Sequence, residues 1–318
     1  MRRPDSKFRA YLELLRLPNV FTAIADVMMG YWFALAVGKG DHLDRNTEWK
    51  SLILLVLSSS CFYLAGMVLN DYFDRNKDLQ ERPARPIPSR RVPESTALWL
   101  GTQLLVLGII LSATLSIIGH NLNTFLIAIA LSAAVVAYDG AFKKNWLGPF
   151  GMGACRALNV LMGMSVVEGT IAIFSPSHLM IIGGIGIYII GLTWFARTEA
   201  VRSSRLYLSL SLLVMGIGLG CLYSFPQFLS IDRTFVSQNV GIWFAFWLLV
   251  ALQIAYRCGK AVWAPDPTNV QIGVKFCLLT LIVLDAAIIF AVQGQEKSIL
   301  LLALLIPTIF LGKFIYST

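Results

Sequence analysis

The chain has 318 residues, 57% of them hydrophobic and only 14% charged, with a formal net charge of +8 and a mean hydropathy of +0.69. So little charge cannot cover the surface of a water-soluble domain, which excludes the soluble fold classes and leaves a polytopic membrane protein. The five cysteines (Cys61, Cys155, Cys221, Cys258, Cys277) hold no CxxC pair and read as small packing residues, and the three scattered histidines suggest no zinc site.

Apolar runs lie near residues 14–37, 51–70, 95–118, 122–141, 147–167, 178–196, 206–224, 239–258, 272–292 and 298–316. A bilayer core about 30 Å thick needs about 20 apolar residues at about 1.5 Å each. Most of these runs meet that length. The expectation is therefore an all-α bundle of nine or ten transmembrane helices, nine if the short last run with Pro307 is not a span. The opening "MRRPDSKFRAYLELLRLPNV" is charged like a signal peptide. The run after it is long and meets no small-residue cleavage site, so it is expected to stay as a first helix.

Lysine and arginine set the orientation. With ten alternating segments, Arg2, Arg3, Lys7 and Arg9 share one side with Arg75 to Arg91, with Lys143 and Lys144, with Arg197, Arg202 and Arg205, and with Arg257, Lys260 and Lys275. The opposite side keeps Lys39, Arg45, Lys50, Arg233 and Lys297. The N-terminus and the basic loops are thus expected in the cytoplasm, the host being the cell (inner) membrane. The net charge is then a topology signal, and no nucleic acid is expected as a partner. No soluble domain or internal repeat stands out, so residues 1–318 read as one membrane domain.

The second run ends in "LNDYFDRNKDLQERPARPIPSRR", Leu69 to Arg91. If the helix continues past the membrane surface, Asn70, Asp74 and Asp78 sit at i, i+4 and i+8, and Asp71 joins their face. Hard oxygen ligands at this spacing suit Mg²⁺. Arg82, Arg85, Arg90 and Arg91 follow and can fork onto phosphate oxygens. Acids holding Mg²⁺ beside arginines describe a diphosphate site. The alternative is a solvated helix end with local pairs such as Asp74 with Lys77 or Asp78 with Arg82.

Polar residues also interrupt the apolar runs. Arg156 lies in the middle of the fifth run, three residues from Asn159, and a charge there normally faces a cavity or a partner. Arg16, Asn19 and Asp26 fall within about 80° of one helix face. Both sets are expected to face the bundle interior, with an interhelical pair such as Arg156 with Asp26 as the structural alternative. Asp285 has no assigned role. Tyr138 or Asp139 would serve as a packed interface residue, and Gly148, Gly151, Gly153 and Gly163 as points of close helix contact.

The pattern N-x-x-x-D-x-x-x-D in "NDYFDRNKD", followed by "RPARPIPS", resembles the first aspartate-rich motif of the UbiA superfamily of intramembrane prenyltransferases. "LLRLPNVFTAIAD" is similar to that family's first helix, with Arg16 and Asn19 in an R-x-x-N pattern. "AYDGAFKKNWLGPFGMGACRALNVLMG" is similar to the loop and fifth helix, with Tyr138 and Lys143 or Lys144 at the basic position. The resemblance implies nine helices around a central cavity open to lipid. It also implies Mg²⁺-dependent transfer of a prenyl group from a prenyl diphosphate to an aromatic or other lipophilic acceptor, with membrane lipid around it. On this reading Asn70, Asp74, Asp78 and Glu199 hold the metal. Asp71, Lys143, Arg156 and Tyr138 act in catalysis, Asp71 as a candidate acceptor base. Arg16, Asn19, Arg82, Arg85, Lys144, Asn159, Arg197, Arg202 and Arg205 bind substrate. Aromatic residues along an apolar tunnel would shield the allylic cation.

The family's second motif, D-x-x-x-D, is replaced here by "WFARTEAVRSSRLYL", with one acid and three arginines. Three readings stay open: Glu199 serves alone, the arginines neutralise phosphate in place of a metal, or catalysis has been lost. Two other classes stay open. One is a non-catalytic UbiA-like protein that binds or transports a lipid or precursor. The other is an ion transporter using Asp26, Arg156 and Asp285.

Overall fold

The structure is a computed structural model and describes residues 7–38, 45–119, 121–166, 174–199, 202–229 and 235–314. Arg2, Arg3, Lys39 and Arg233, which entered the charge comparison, lie outside the described residues. The helices are α1 Lys7–Leu15, α2 Val20–Val37, α3 Arg45–Glu81, α4 Glu94–Ile118, α5 Asn123–Ala137, α6 Gly148–Met164, α7 Pro176–Ala196, α8 Arg205–Ser224, α9 Phe235–Gln238, α10 Val240–Trp263, α11 Pro267–Gln293, α12 Gln295–Ala303 and α13 Leu305–Phe314. Nine stretches among the described residues are long and apolar enough to cross a membrane. The fifth run, α6, has 17 residues and is about 25 Å long.

Two expected helices are interrupted, each at a proline. Between α1 and α2 the chain passes through a 3₁₀ turn, Leu17–Asn19, entered from Arg16 in the left-handed region at φ 46° and ψ 46°. Pro18 has no N–H to donate and disfavours a helical residue before it. Arg16 and Asn19 are therefore not on one straight helix face with Asp26, as a continuous first helix would have placed them. The last run divides at Leu304, because Pro307 offers no N–H to the Ala303 carbonyl.

Close helix contact is made by glycine, as expected for a bundle in lipid. A Cβ on Gly30 would lie 2.4 Å from the Val160 carbonyl oxygen, and one on Gly163 would lie 2.3 Å from that of Val27. The backbones of α2 and α6 thus touch without intervening side chains. Gly153 does the same for α6 against α7, 2.7 Å from the Gly186 oxygen. The outer face stays apolar, with Ile242, Phe244, Leu248 and Leu252 of α10 exposed.

A second, smaller core lies at one end of the bundle. Ala10 and Leu14 of α1, Val68 of α3, Ala97 of α4 and Ile87 and Val92 of the connecting loop are all buried together. Full burial of the leucine, valine and isoleucine side chains among them stabilises by about 1.5–3 kcal/mol each. The proline-rich loop is thereby fixed over the end of α3. The other basic segments gather at the same end: Arg197 donates to the Lys144 carbonyl at 3.3 Å, Ser203 N to Pro265 O at 3.1 Å, and Gln271 to the Glu199 carbonyl at 3.3 Å.

Candidate functional site

The helix α3 does run on past the apolar stretch, so Asn70, Asp71, Asp74 and Asp78 share one face. They are not a solvated helix end: Asp71 and Asp78 are 4% exposed, Asn70 7% and Asp74 8%. The local pairs Asp74–Lys77 and Asp78–Arg82 are not among the ion pairs of the described residues. Lys77 turns instead to Glu81 at 3.5 Å, and Arg75 to Glu94 at 3.0 Å.

The acids are met by cations from three other segments. Arg16, at the strained break before α2, donates to Asp71 Oδ1 at 2.6 Å. Arg85, in the proline-rich loop, donates to Asp71 Oδ1 at 3.1 Å and Asp78 Oδ2 at 2.7 Å. Lys143 donates to Asn70 Oδ1 at 2.9 Å and to Asp74 Oδ2. A non-glycine residue held in the left-handed region costs of order 1–3 kcal/mol, and such strain clusters at functional sites. Arg16 fits that pattern.

Lys143 reaches the acids because α5 ends in a π turn, Tyr138–Phe142, closed by Lys143 N donating to Tyr138 O at 2.8 Å. Such wide turns often mark functional positions. Of the two adjacent lysines, Lys143 points into the site, while Lys144 is exposed. The same turn buries Asp139, whose Oδ1 accepts from Asn70 Nδ2 at 2.8 Å. Asp139 had no site role in the sequence reading. Its adjacency to Tyr138 was the available signal, but the direction of its side chain depends on the π turn.

Beneath the charged face lies a cavity of about 260 Å³ lined mainly by apolar side chains, including Phe62, Leu131, Val135, Ile189 and Leu278. Arg16, Asn19, Tyr138, Asp139, Arg156 and Asn159 are its polar lining, joined by Ser59 and Tyr63. Arg156 donates to Asp26 Oδ2 and to Thr22 Oγ1, both at 2.6 Å, and stands 5.8 Å over the Tyr63 ring. Asn159 donates to the Ala23 carbonyl at 2.9 Å and accepts from Ser59 at 2.7 Å. The interhelical pair Arg156–Asp26 therefore forms, and Arg156 lines the cavity as well.

The segment at the place of the second motif behaves differently. Arg82, Arg197, Arg202 and Arg205 are exposed, and none of them lines the cavity. Glu199 is half-buried. Burial raises its carboxyl above the usual carboxylate range, while Arg82 and then Arg16 pull it back. Of the cations that surround the acids of α3, Glu199 thus feels Arg16.

Among the described residues no three histidine, cysteine, aspartate or glutamate side chains converge as a ready metal cage. The donor chemistry still suits a hard divalent cation. Mg²⁺ keeps several waters and needs only one or two carboxylates beside phosphate oxygens. Lys143 on Asp74 and Arg85 on Asp78 already place positive charge where such an ion would sit.

A family model described as the UbiA prenyltransferase family matches residues 27–207. A digeranylgeranylglyceryl phosphate synthase of Sulfurisphaera tokodaii is 33% identical over 168 residues, 51% of this chain and 54% of that protein. One of Methanothermobacter thermautotrophicus is 31% identical over 175 residues, 54% of each. The chain spans about half the length of the curated relatives it matches. Among solved structures, one described as digeranylgeranylglyceryl phosphate synthase in membranes superposes with a TM-score of 0.64 at 18% identity, over 91% of this chain and 99% of that one. A UbiA homologue from Archaeoglobus fulgidus bound to GPP and Mg²⁺ gives 0.62 at 15% identity, over 92% and 99%. These likenesses show the fold.

Proposed function

This chain belongs to the UbiA prenyltransferase family, and on that premise we propose that it moves a prenyl group from a prenyl diphosphate to a lipophilic acceptor inside the membrane. The observation that carries this reading is the buried acid face of α3, met by Arg85, by Lys143 and by Arg16, which also lines an apolar cavity. The basic end of the bundle faces the cytoplasm of the host cell, in keeping with its lysine and arginine excess. The relatives' name favours a glyceryl phosphate lipid among the acceptors to be tried.

Asp74, Asp78 and Asn70 would hold Mg²⁺, with Glu199 as a further ligand. When bound, the ion would lower the charge on the departing diphosphate. Arg85, Arg16 and Lys143 turn from the carboxylates toward phosphate oxygens and stabilise the negative charge that builds up as the carbon–oxygen bond breaks. The prenyl chain lies in the cavity, where Phe62, Tyr63 and Tyr138 present aromatic faces and exclude water from the allylic cation. The acceptor enters the same cavity. Asp71 would take its proton once Arg16 and Arg85, which both donate to its Oδ1, have moved to phosphate.

The test is purified protein with labelled prenyl diphosphate and membrane lipid extract, with and without Mg²⁺. Diphosphate release and a labelled lipid product that both vanish with a chelator are expected. A second reading, a non-catalytic lipid binder, is favoured by the three arginines that stand in the second-motif segment. Tight binding of the diphosphate without release under any acceptor would replace the first reading with the second.

A further inference from the structure

Three helices bring charged side chains together in the middle of the bundle, beyond the diphosphate site. Asp26 of α2 and Asp285 of α11 are both fully buried. Arg156 of α6 gives one of its amino groups to Asp26 Oδ2 and the other to Thr22. Asp26 Oδ1 and both oxygens of Asp285 receive no hydrogen bond. Helix α11 packs directly against α2 and sets the Asp285 carboxyl beside that of Asp26, and Arg156 is the one cation that bears on either acid among the described residues.

Two ionised carboxylates facing each other in hydrocarbon would both repel and leave three buried oxygens without donors. Removing an ion from water costs several kcal/mol even after relaxation, and intramembrane charges persist only when compensated. One guanidinium compensates one carboxylate. Helix α2 cannot draw closer to the helix that carries Arg156, because Gly30 and Gly163 already bring the α2 and α6 backbones into contact. The deficit is a single positive charge, among three buried oxygens that receive no hydrogen bond. A proton supplies that charge and also the missing hydrogen bond, whereas a metal ion would need several more oxygens than the two carboxyls offer.

We propose that Asp26 and Asp285 form an intramembrane proton-binding site: together they hold one proton in a hydrogen bond between their carboxyls, giving a neutral triad with Arg156. The site ties α11, whose Val274 and Leu278 line the cavity, to α2 and to the helix α6 that carries Arg156 and Asn159. It leaves the deep end of the cavity without net charge. The inference does not rest on prenyl transfer, and its test uses no turnover, so either can fail alone.

The experiment is infrared spectroscopy of the purified full chain in lipid nanodiscs at neutral pH. A carbonyl band of a protonated carboxylic acid is expected, moving to lower frequency when the protein carries carbonyl-labelled ¹³C-aspartate. Asp285→Asn should abolish it. Asp26→Asn should abolish it too, since the remaining carboxylate then ionises beside Arg156. A band from Asp139, the other deeply buried carboxyl by the cavity, would survive both changes. Circular dichroism verifies that the variants are folded. Absence of any label-sensitive band in the wild-type chain overturns the proposal whatever the variants do. So does a band untouched by Asp285→Asn, or one that emerges only when sodium and potassium are removed, which would make a metal ion the occupant.

Discussion

At the end of α3, three carboxylates are answered by cations carried on connecting segments; in the middle of the bundle, one guanidinium is answered by groups carried on helices. Arg16 sits on a left-handed break, Arg85 in a proline-rich loop and Lys143 just after a π turn. Each has a solvent-facing fraction, which the proposed exchange from carboxylate to phosphate requires. Arg156 is held by Asp26 and Thr22 of α2, and α2 is held against α6 by glycine contact. On the proposed reading the first centre exchanges its partners, while the second keeps them. The same residue types, aspartate and arginine, thus serve opposite ends because their supports differ in stiffness.

The largest effect should come from the exchangeable centre. Asp74→Asn keeps size and polarity but removes the charge that Lys143 and a metal would share. Mg²⁺-dependent binding or release of prenyl diphosphate should fall by more than about a hundredfold, beyond the range for lost supporting contacts around a metal, with helix content unchanged. Normal turnover in this variant would reduce the acid face to a structural ion-pair array.

The fixed centre should respond in stability instead. Gly163→Ala forces a methyl into the Val27 carbonyl and should destabilise by about 1–3 kcal/mol, as overpacked contacts do. A thermal melt of the purified chain measures this. Unchanged melting would mean that α2 and α6 separate freely, and the contrast in stiffness would be lost.

Glu199→Gln tests the boundary between the two regimes. As a partly exposed charge near Arg82 and Arg16, Glu199 should contribute about 1 kcal/mol to metal-dependent diphosphate binding, so the apparent Mg²⁺ requirement should rise about fivefold. No change in an Mg²⁺ titration would remove Glu199 from the ligand set. The smallest effect is expected for Arg202→Ala and Arg205→Ala. Both residues are exposed at the start of α8, and diphosphate affinity should stay within about twofold of the wild type. A larger fall would restore the arginines as substitutes for the second acidic motif.

The sequence by itself determined the membrane class, the helical runs and the acid face of α3. Hydrophobic run length and the i, i+4 rule depend only on local helix geometry, and that geometry is the same in any bundle. The kinks at Pro18 and Pro307 were legible in principle, since proline acts on its own backbone and on the turn before it. Only the tertiary structure decided which cation meets which acid. Asp74 had Lys77 as a near neighbour in sequence, yet its partner is Lys143, brought over by a π turn whose extra residue leaves no mark in composition. The sequence offered Asp285 only as a member of a charge relay with Asp26 and Arg156; the packing of α11 against α2 set it beside Asp26. Pairings of this kind depend on how helices distant in the chain are rotated and spaced, and that is fixed by glycine contacts and core packing rather than by any one segment's pattern.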